Sequence, residues 1–444
     1  MSAIPFLHPG APDDVIAWRG SETITRDRFV RDVAALGMRL PRRPWVLNHC
    51  DDRYHFAVGF AAALLRGQVS LFPSSRSPDA LARLATAYPQ AYCLTDQTDP
   101  EEAAVLQTVA YDTSSSPALP ADTVFDGAQL AAILFTSGST GIPTPHAKTW
   151  QMLVDETQLA FAALGFDRHL PRFNLATVPS QHLYGLLFAV LGPLRWGQAL
   201  GAERPFFPDD IRRGLLRQPG DTMLVTTPLS LRACVRDNDP MPPAGLLLSS
   251  TAALDSVLAR EAEARFHASL HEIYGSTETG AIATRRQNEG EAWRLFAGVR
   301  LAPNDDGLIV TAGHLPTPAV ISDRIELCGA DRFVLLGRSS ELIKIAGKRI
   351  ALGELNRLLL ATEGVQDGTF FLPEVEEAGD EPRLAAFVVA PGRTRAAILD
   401  VLREHLDPVF LPRPLHLVSE LPRNATGKLV RSEIVRLYFS PPAA

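Results

Sequence analysis

The sequence has few cysteines, and their spacing suggests neither a metal site nor a disulfide framework. No two of them form a CxxC pair. Closely spaced pairs are typical of structural zinc sites and of small disulfide-rich folds. We therefore expect the cysteines to be small apolar side chains in a reducing compartment. They are Cys50, Cys93, Cys234 and Cys328.

Long hydrophobic runs and basic runs are also missing. The stretch FAVGFAAALL at 56–65 falls well short of the roughly 20 residues that span a bilayer. The N-terminal MSAIPFLHPGAPDDVIAWRG lacks the basic start and apolar core of a secretory signal. A net charge of -7 argues against a nucleic-acid binder. We expect a cytoplasmic protein that binds neither membrane nor nucleic acid.

The composition favours a globular protein of more than one domain. The chain has 444 residues, 46% of them hydrophobic, which is too long for one ordinary domain. Short buried-strand patterns, each followed by turn residues or a helical pattern, predict an α/β fold. These patterns are AAILF (131–135), FNLATVP (173–179), TMLVTTP (222–228), GLLLSS (245–250) and LHEIYG (270–275).

The pattern changes after residue 300. GLIVTAG, AVISDRIEL and RFVLLGR predict a β-rich region. From residue 337 onward, two helical patterns alternate with two strand patterns, which predicts a small α+β domain. We therefore predict a large α/β N-terminal domain at 1–336 and a C-terminal domain at 337–444.

The segment TSGSTGIPTPHAKTW at 136–150 follows a predicted buried strand. Its glycines allow close backbone approach, and its hydroxyls and amides can donate to phosphate oxygens. A P-loop NTPase would place a lysine directly after the second glycine, whereas Ile142 follows Gly141 here. A flexible Ser/Gly linker is the other interpretation of this segment alone.

Four further motifs follow this loop in order. They are VPSQHLYG (178–185), IYGSTETG (273–280), GRSSELIKIAGKRI (337–350) and LPRNATGKLVR (421–431). Together with the loop, they resemble the adenylate-forming superfamily of acyl-CoA synthetases, aryl-acid ligases, nonribosomal adenylation domains and luciferases. The resemblance implies that superfamily's fold, with a mobile C-terminal domain and a hinge near Ser340. Ser340 stands where most relatives have aspartate or lysine.

The resemblance also implies a two-step reaction that uses ATP and Mg²⁺. A carboxylate attacks the α-phosphate to give an acyl-AMP and pyrophosphate, and a thiol then takes the acyl group. Glu278 corresponds to the magnesium ligand and Thr277 to the α-phosphate contact. Lys428 corresponds to the mobile lysine that stabilises charge at the α-phosphate. His182 borders the acyl site.

Other positions correspond to nucleotide contacts. Tyr274 would lie against adenine, and Asp323, within ISD instead of the usual TGD, would bind the ribose with help from Arg338. The remaining ATP/AMP candidates are Thr136, Ser137, Gly138, Ser139, Thr140, Gly141, Lys148, Ser250, Thr251, Ala252, Gly275 and Ser276. Thr144 stands where relatives carry the loop lysine, so Lys148 or His146 is expected to replace that lysine at the pyrophosphate.

The same resemblance implies the pocket and the acceptor site. The acid-pocket candidates are His182, Tyr184, Gly275, Ser276 and Ile282. Lys344 and Gly347 correspond to the region that faces the thiol tunnel. The variant GIPTPHAKTW looks like the aryl-acid ligases of bacterial aryl polyene and xanthomonadin-type pigment pathways. This favours 4-hydroxybenzoate, with 3-hydroxybenzoate, a cinnamate or a medium-chain fatty acid as alternatives.

Three alternatives concern the basic residues of the tail, which are Arg413, Arg423, Lys428, Arg431 and Arg436. They could steer an acidic acyl carrier protein, bind the phosphates of coenzyme A, or form a solvated face. A nucleotide-binding protein without turnover is the alternative from another class. The presence of both Glu278 and Lys428 favours an active ligase.

Overall fold

The computed structural model describes residues 3–98, 101–114, 123–136, 144–165, 171–304, 307–321, 323–338, 342–345, 348–373, 383–424 and 427–440. The chain divides into two compact units. The first comprises 1–304, 308–320 and 329–332, and the second comprises 305–307, 321–328 and 333–444. Each unit has its own hydrophobic core. The predicted boundary at 336/337 stays a prediction, as does its hinge, because Ser340 lies outside the described residues.

The first unit contains β1 to β20 and α1 to α9. Its strands are β1 (Ala3–Pro5), β2 (Val15–Arg19), β3 (Glu22–Thr25), β4 (Trp45–Asn48), β5 (Val69–Phe72), β6 (Tyr92–Thr95), β7 (Gln107–Ala110), β8 (Val124–Asp126), β9 (Leu130–Thr136), β10 (Thr144–Thr149), β11 (Phe173–Ala176), β12 (Ala199–Gly201), β13 (Thr222–Thr226), β14 (Leu246–Ser249), β15 (Leu270–Ser276), β16 (Gly280–Arg285), β17 (Trp293–Leu295), β18 (Arg300–Asn304), β19 (Gly307–Thr311) and β20 (Ala319–Ile321). Its α-helices are α1 (Arg26–Arg39), α2 (Arg53–Leu65), α3 (Pro78–Ala87), α4 (Trp150–Ala163), α5 (Leu183–Gly185), α6 (Gly192–Trp196), α7 (Pro208–Leu215), α8 (Pro228–Arg236) and α9 (Ser256–Phe266).

One sheet of this unit has the strand order β10, β9, β5, β4, β6, β7. The strands from β9 to β7 are parallel, whereas β10 returns antiparallel to β9. β5 and β6 are buried along their whole length, as expected for parallel strands covered on both faces. The predicted phosphate loop joins β9 to β10, so it leaves the sheet at Thr136 and returns at Thr144.

A second sheet contains, in order, β17, β16, β15, β14, β13, β11, β12, β2 and β3. The strands from β15 to β2 are parallel, and β16, β17 and β3 add antiparallel edges. The carboxyl ends of parallel strands meet at one edge, which is where open α/β sheets bind ligands. β18, β19 and β20 form a small separate sheet, as the β-rich pattern after residue 300 predicts.

The second unit has a compact α+β core. Its elements are β21 (Asp323–Leu327), β22 (Arg332–Arg338), β23 (Leu342–Ile345), β24 (Lys348–Ala351), α10 (Leu352–Ala361), β25 (Asp367–Phe371), β26 (Ala385–Val389), α11 (Arg395–His405), β27 (Leu415–Leu417) and α12 (Arg431–Phe439). α10, β26, α11 and β27 are the two helices and two strands that the sequence predicts after residue 337, in the predicted order. α12 was not predicted from the sequence, because it buries little beyond Ile434.

Among the residues that the structure describes, no helix combines the length and the apolar character needed to cross a bilayer.

Candidate active site

Tyr184 ties together the carboxyl ends of neighbouring strands in the second sheet. Its hydroxyl donates to the Leu248 carbonyl at 2.8 Å and lies 3.3 Å from the Thr226 carbonyl. Burial raises the pKa of the Tyr184 phenol well above its usual value. Tyr184 therefore acts as a neutral donor that fixes the start of α5 against β13 and β14.

His182 precedes α5 and is half-buried. α5 continues through a π-helical turn at Leu186–Leu191 into α6. Such turns are rare and are often found at functional sites. His182 thus lies two residues before Tyr184, whose hydroxyl reaches the carboxyl ends of β13 and β14, and the predicted place of both residues in the acid pocket stays a prediction.

The segment after β14 is held against β15. Ser250 donates its hydroxyl to the Ile273 carbonyl at 2.9 Å. Thr251 has a φ of +80°, a left-handed conformation that costs energy for a branched residue. Ala252 is exposed beside it. This strained turn is held at Ile273, the residue before Tyr274, and its place beside the adenine stays a prediction.

Tyr274 is half-buried at the end of β15, and its ring lies 5.5 Å from that of Trp293. The Arg285 guanidinium covers Trp293 at 4.4 Å from the ring centroid. Arg285 in turn pairs with the buried Glu272 at 2.6 Å. Trp293, with Arg285 over its ring, therefore supports the Tyr274 ring, which is tilted by 53° from the Trp293 ring.

The turn that carries Thr277 and Glu278 is fixed by reciprocal hydrogen bonds. The Ser276 amide donates to Thr279 Oγ1 at 3.0 Å, and the Thr279 amide donates to Ser276 Oγ at 3.1 Å. His314 Nε2 lies 2.9 Å from the Thr279 carbonyl. Thr277 is half-buried and the Glu278 side chain is 42% exposed. The Glu278 carboxylate is therefore partly exposed on a turn whose backbone is held by hydrogen bonds.

Three other pocket and nucleotide candidates lie close to this turn. Gly275 and Ser276 are exposed at the end of β15, beside a register shift in its pairing with β16. Ile282 lies on β16 but has no exposed surface. Its predicted place in the acid pocket is therefore not supported by its geometry, because its side chain belongs to the core.

His146 lies on β10 of the first sheet and is close to Glu278, which follows β15 of the second sheet. Its Nε2 is 3.1 Å from Thr136 Oγ1 at the end of β9 and 3.6 Å from a Glu278 carboxylate oxygen. Partial burial lowers its pKa, although Glu278 opposes this shift. The return strand of the phosphate loop thus meets the predicted magnesium ligand through this imidazole.

Lys148, in contrast to His146, is buried. It lies two residues further along β10, and only 2% of its side chain is exposed. Its ammonium faces the Glu156 carboxylate at 3.7 Å. This burial argues against the predicted contact of Lys148 with pyrophosphate and leaves the half-buried His146 as the other predicted candidate.

The second unit carries the remaining candidates. Asp323 and Arg338 are directly opposite each other in the β21–β22 ladder, and Asp323 is half-buried. Lys344 pairs with Arg349 across β23 and β24 in backbone register. Lys428 is exposed, and its amide donates to Asn424 Oδ1 at 3.0 Å.

Several predicted positions lie outside the described residues. They are Ser137, Gly138, Ser139, Thr140, Gly141 and Gly347. Their assignments stay predictions.

Sequence reasoning missed Glu156, His314 and Trp293. Glu156 accepts a hydrogen bond from the Ala281 amide at 2.7 Å across 125 residues of sequence. The only local signal was a charged residue on the buried side of α4. His314 and Trp293 stand outside every motif, so nothing in the sequence indicates their contact with the site.

The chain matches a known family over most of the region that builds this site. The sequence model of the family described as "AMP-binding enzyme" matches residues 36–315. The protein is an AMP-binding enzyme. Membership follows from a match that covers more than half of the chain, and it agrees with the motif-based resemblance.

Two bacterial relatives of this AMP-binding enzyme are 4-coumarate–CoA ligases. The one from Halorhodospira halophila is 32% identical over 308 residues, covering 66% of this chain and 73% of that protein. The one from Rhodobacter capsulatus is 32% identical over 301 residues, covering 67% and 74%.

Solved structures share the fold over nearly the whole chain. ATP-bound MatB from Rhodopseudomonas palustris aligns with a TM-score of 0.80 at 19% identity, covering 97% of this chain and 96% of that one. The o-succinylbenzoate coenzyme A synthetase from Bacillus subtilis, solved with ATP and a magnesium ion, aligns at 0.80 and 18% identity, covering 95% and 96%. The predicted adenylate-forming fold is confirmed.

The predicted enzyme class is also confirmed: the protein is an AMP-forming acid–thiol ligase that adenylates a carboxylic acid with ATP. Its turn fits the expected magnesium ion, because Mg²⁺ takes one or two carboxylates and keeps waters and phosphate oxygens. Glu278 offers one exposed carboxylate of this kind. Glu278 would hold the ion, which would neutralise charge on the phosphates.

Proposed function

We propose that this ligase activates a hydroxybenzoate, with 4-hydroxybenzoate as the first candidate, and passes the acyl group to the phosphopantetheine thiol of an acyl carrier protein. The observation that carries the adenylation half is the convergence of Tyr274, Thr277 and Glu278 at one sheet edge, next to His146 from the phosphate-loop hairpin. That edge offers a stacking face, a hydroxyl and a hard carboxylate.

The choice of an aromatic acid rests on the relatives and on the acid side of the site. Two relatives carry the name 4-coumarate–CoA ligase, and 4-coumarate is a para-hydroxylated aromatic acid. His182 and Tyr184 stand at the same edge. The Tyr184 hydroxyl is hydrogen-bonded to backbone carbonyls, so the ring is held rigidly and can support a flat substrate.

In the proposed roles, Thr277 contacts the α-phosphate and Glu278 binds Mg²⁺. Lys428 stabilises the charge that accumulates when the carboxylate attacks. Asp323 accepts the ribose hydroxyls, with Arg338 opposite it in the ladder. Lys344 and Gly347 face the thiol, and the C-terminal domain turns about a hinge near Ser340 between the two steps.

Coenzyme A is the second candidate acceptor, because the two relatives are named as coenzyme A ligases. Within the tail, Arg423 is already paired with Asp367 at 2.6 Å. Arg436 is 77% exposed and is available to an acidic partner beyond its pairing with Glu433. An exposed cation of this kind supports steering of a carrier protein.

A pyrophosphate-exchange assay over a panel of aryl and alkyl acids tests the acid. We expect the highest kcat/KM with 4-hydroxybenzoate; equal exchange with a medium-chain fatty acid would contradict an aromatic substrate. Product formation with a holo carrier protein and with coenzyme A, compared in one preparation, tests the acceptor. A kcat/KM that favours coenzyme A would replace the carrier protein with the second candidate.

A further inference from the structure

The first unit buries an ion pair that the proposed chemistry does not use. Lys148 and Glu156 are 2% and 0% exposed. Burying two charges costs desolvation free energy. Replacing such a pair with apolar residues of similar volume often leaves the stability unchanged or raises it. At 3.7 Å the pair is also longer than a hydrogen bond. Stability alone is therefore a weak reason for this pair.

The lysine is unusual for this chain. Only four of its 43 basic residues are lysines, and Lys148 is the only lysine before residue 344. It lies at the end of β10, where the pairing with β9 shifts register. A compact ammonium on a long stem reaches a buried carboxylate where a planar guanidinium would need more room.

The partner carboxylate reaches the turn that carries Glu278. Glu156 Oε1 accepts from the Ala281 amide at 2.7 Å. Gly280 has a φ of +67°, and a Cβ there would lie 2.5 Å from the Glu156 carboxyl carbon. The absence of a side chain at residue 280 thus admits the carboxylate directly beneath the backbone that follows Thr277 and Glu278.

We infer that Glu156 is a positioning residue for the magnesium-binding turn and that Lys148 is its counterion. Glu156 holds the backbone at Ala281, and Lys148 balances the charge of that carboxylate. Together they connect the return strand of the phosphate loop to the turn that presents Glu278. This inference rests on the proposed function of Glu278.

The pair can be replaced in two ways that differ in one acceptor. Lys148→Met with Glu156→Gln removes both charges and keeps a carbonyl oxygen for the Ala281 amide. Lys148→Met with Glu156→Leu removes both charges and the acceptor. The two double variants have similar volume and the same net charge, so their difference isolates the hydrogen bond to the turn.

The first readout is the Mg²⁺ concentration that half-saturates pyrophosphate exchange. We expect this concentration to rise about ten-fold or more in the Leu double variant and to stay near wild type in the Gln double variant. The KM for the acid should be unchanged in both. An equal Mg²⁺ dependence in the two double variants would overturn the inference.

The second readout needs no nucleotide or metal. Amide hydrogen exchange of a peptide covering 276–284 is expected to be faster in the Leu double variant than in the Gln double variant and wild type. Glu102→Gln is the matched control, because Glu102 is a buried carboxylate that pairs with His49, the residue that follows β4 of the other sheet. Faster exchange at 276–284 in this control would show general destabilisation and overturn the inference.

Glu278→Gln separates this inference from the proposed function. If that variant leaves the Mg²⁺ dependence unchanged, the proposed metal role of Glu278 is wrong. Hydrogen exchange then decides alone whether Glu156 holds the turn, with equal exchange in both double variants counting against it.

Discussion

The two segments that carry the predicted catalytic charges are built differently. The turn that presents Glu278 is fixed by reciprocal Ser276 and Thr279 bonds, by His314 and by Glu156 below it. The segment that presents Lys428 is held locally, by Asn424 and by an Arg423 fork on Asp367. Glu278 is therefore carried by a turn whose backbone is held in place by several contacts, whereas Lys428 is exposed on a locally anchored segment.

This difference fits the chemistry proposed for each charge. A metal ligand must keep its geometry through the reaction, since reorganisation would raise the barrier. A lysine that acts in one half-reaction and leaves for the other needs an exposed side chain on a unit of its own. Substitutions at the two segments should therefore affect different kinetic quantities.

The largest expected effect is from Lys428→Ala. We expect acyl-AMP formation to fall about 10²–10³-fold, because the charge developing at the α-phosphate loses its cation. Transfer from preformed acyl-AMP should be largely spared. Single-turnover assays of each step measure this. Lys348→Ala, which removes an exposed lysine of the same unit, is the control for adenylation; equal loss of both steps in Lys428→Ala would mean that its role is misassigned.

Glu278→Gln should act on the other side of the comparison. An amide oxygen is a weaker ligand for a hard cation than a carboxylate, so the half-saturating Mg²⁺ should rise at least about ten-fold. The KM for the acid should stay near wild type. Glu289→Gln removes an exposed carboxylate that pairs with Arg286 and is the control. A wild-type Mg²⁺ requirement in Glu278→Gln would exclude the proposed ligand.

The sequence predicted the strands and the turn because both signals are local. β9, β11, β13, β14 and β15 are short, mainly apolar runs that are followed by turn residues or a helix. The reciprocal Ser276 and Thr279 bonds span three residues, so the motif contains its own geometry. Such short-range patterns can be read without knowledge of the tertiary structure.

The burial of Lys148 depends on tertiary contacts that the sequence does not reveal. His146 and Lys148 lie on the same face of β10, two residues apart, which is roughly 6.8 Å along a strand. That distance separates a half-buried imidazole at the loop from an ammonium in the core. Depth along a strand depends on what packs above it, here Glu156 from α4, and no local pattern encodes that contact.

Gly280→Ala tests how rigid the Glu278 turn is. A left-handed φ of +67° costs an alanine about 1–2 kcal/mol, and the added Cβ also collides with Glu156. Gly298→Ala is the matched control, because its φ is +78° with nothing within 4 Å. Thermal or denaturant unfolding should show the larger loss at Gly280. Equal losses would mean that the contact with Glu156 contributes nothing.

The smallest effect is expected where the Lys428 segment is anchored. Asp367→Asn loosens the Arg423 fork, whose two bonds measure 2.6 and 2.7 Å. Both side chains are less than a fifth exposed, so we expect a loss of about 1 kcal/mol in unfolding free energy and a few-fold slower adenylation. Asp400→Asn, which breaks an exposed pair with Arg403, should change neither quantity.

The Mg²⁺ dependence decides what this last variant means. Because Arg423 also donates to the Gly427 carbonyl, loosening it should disturb Lys428 and leave the Glu278 turn unchanged. Slower adenylation at an unchanged half-saturating Mg²⁺ would therefore separate the two segments functionally. A parallel rise in the Mg²⁺ requirement would instead show that the two charges are positioned together, and the contrast between a fixed turn and a locally anchored loop would no longer explain their roles.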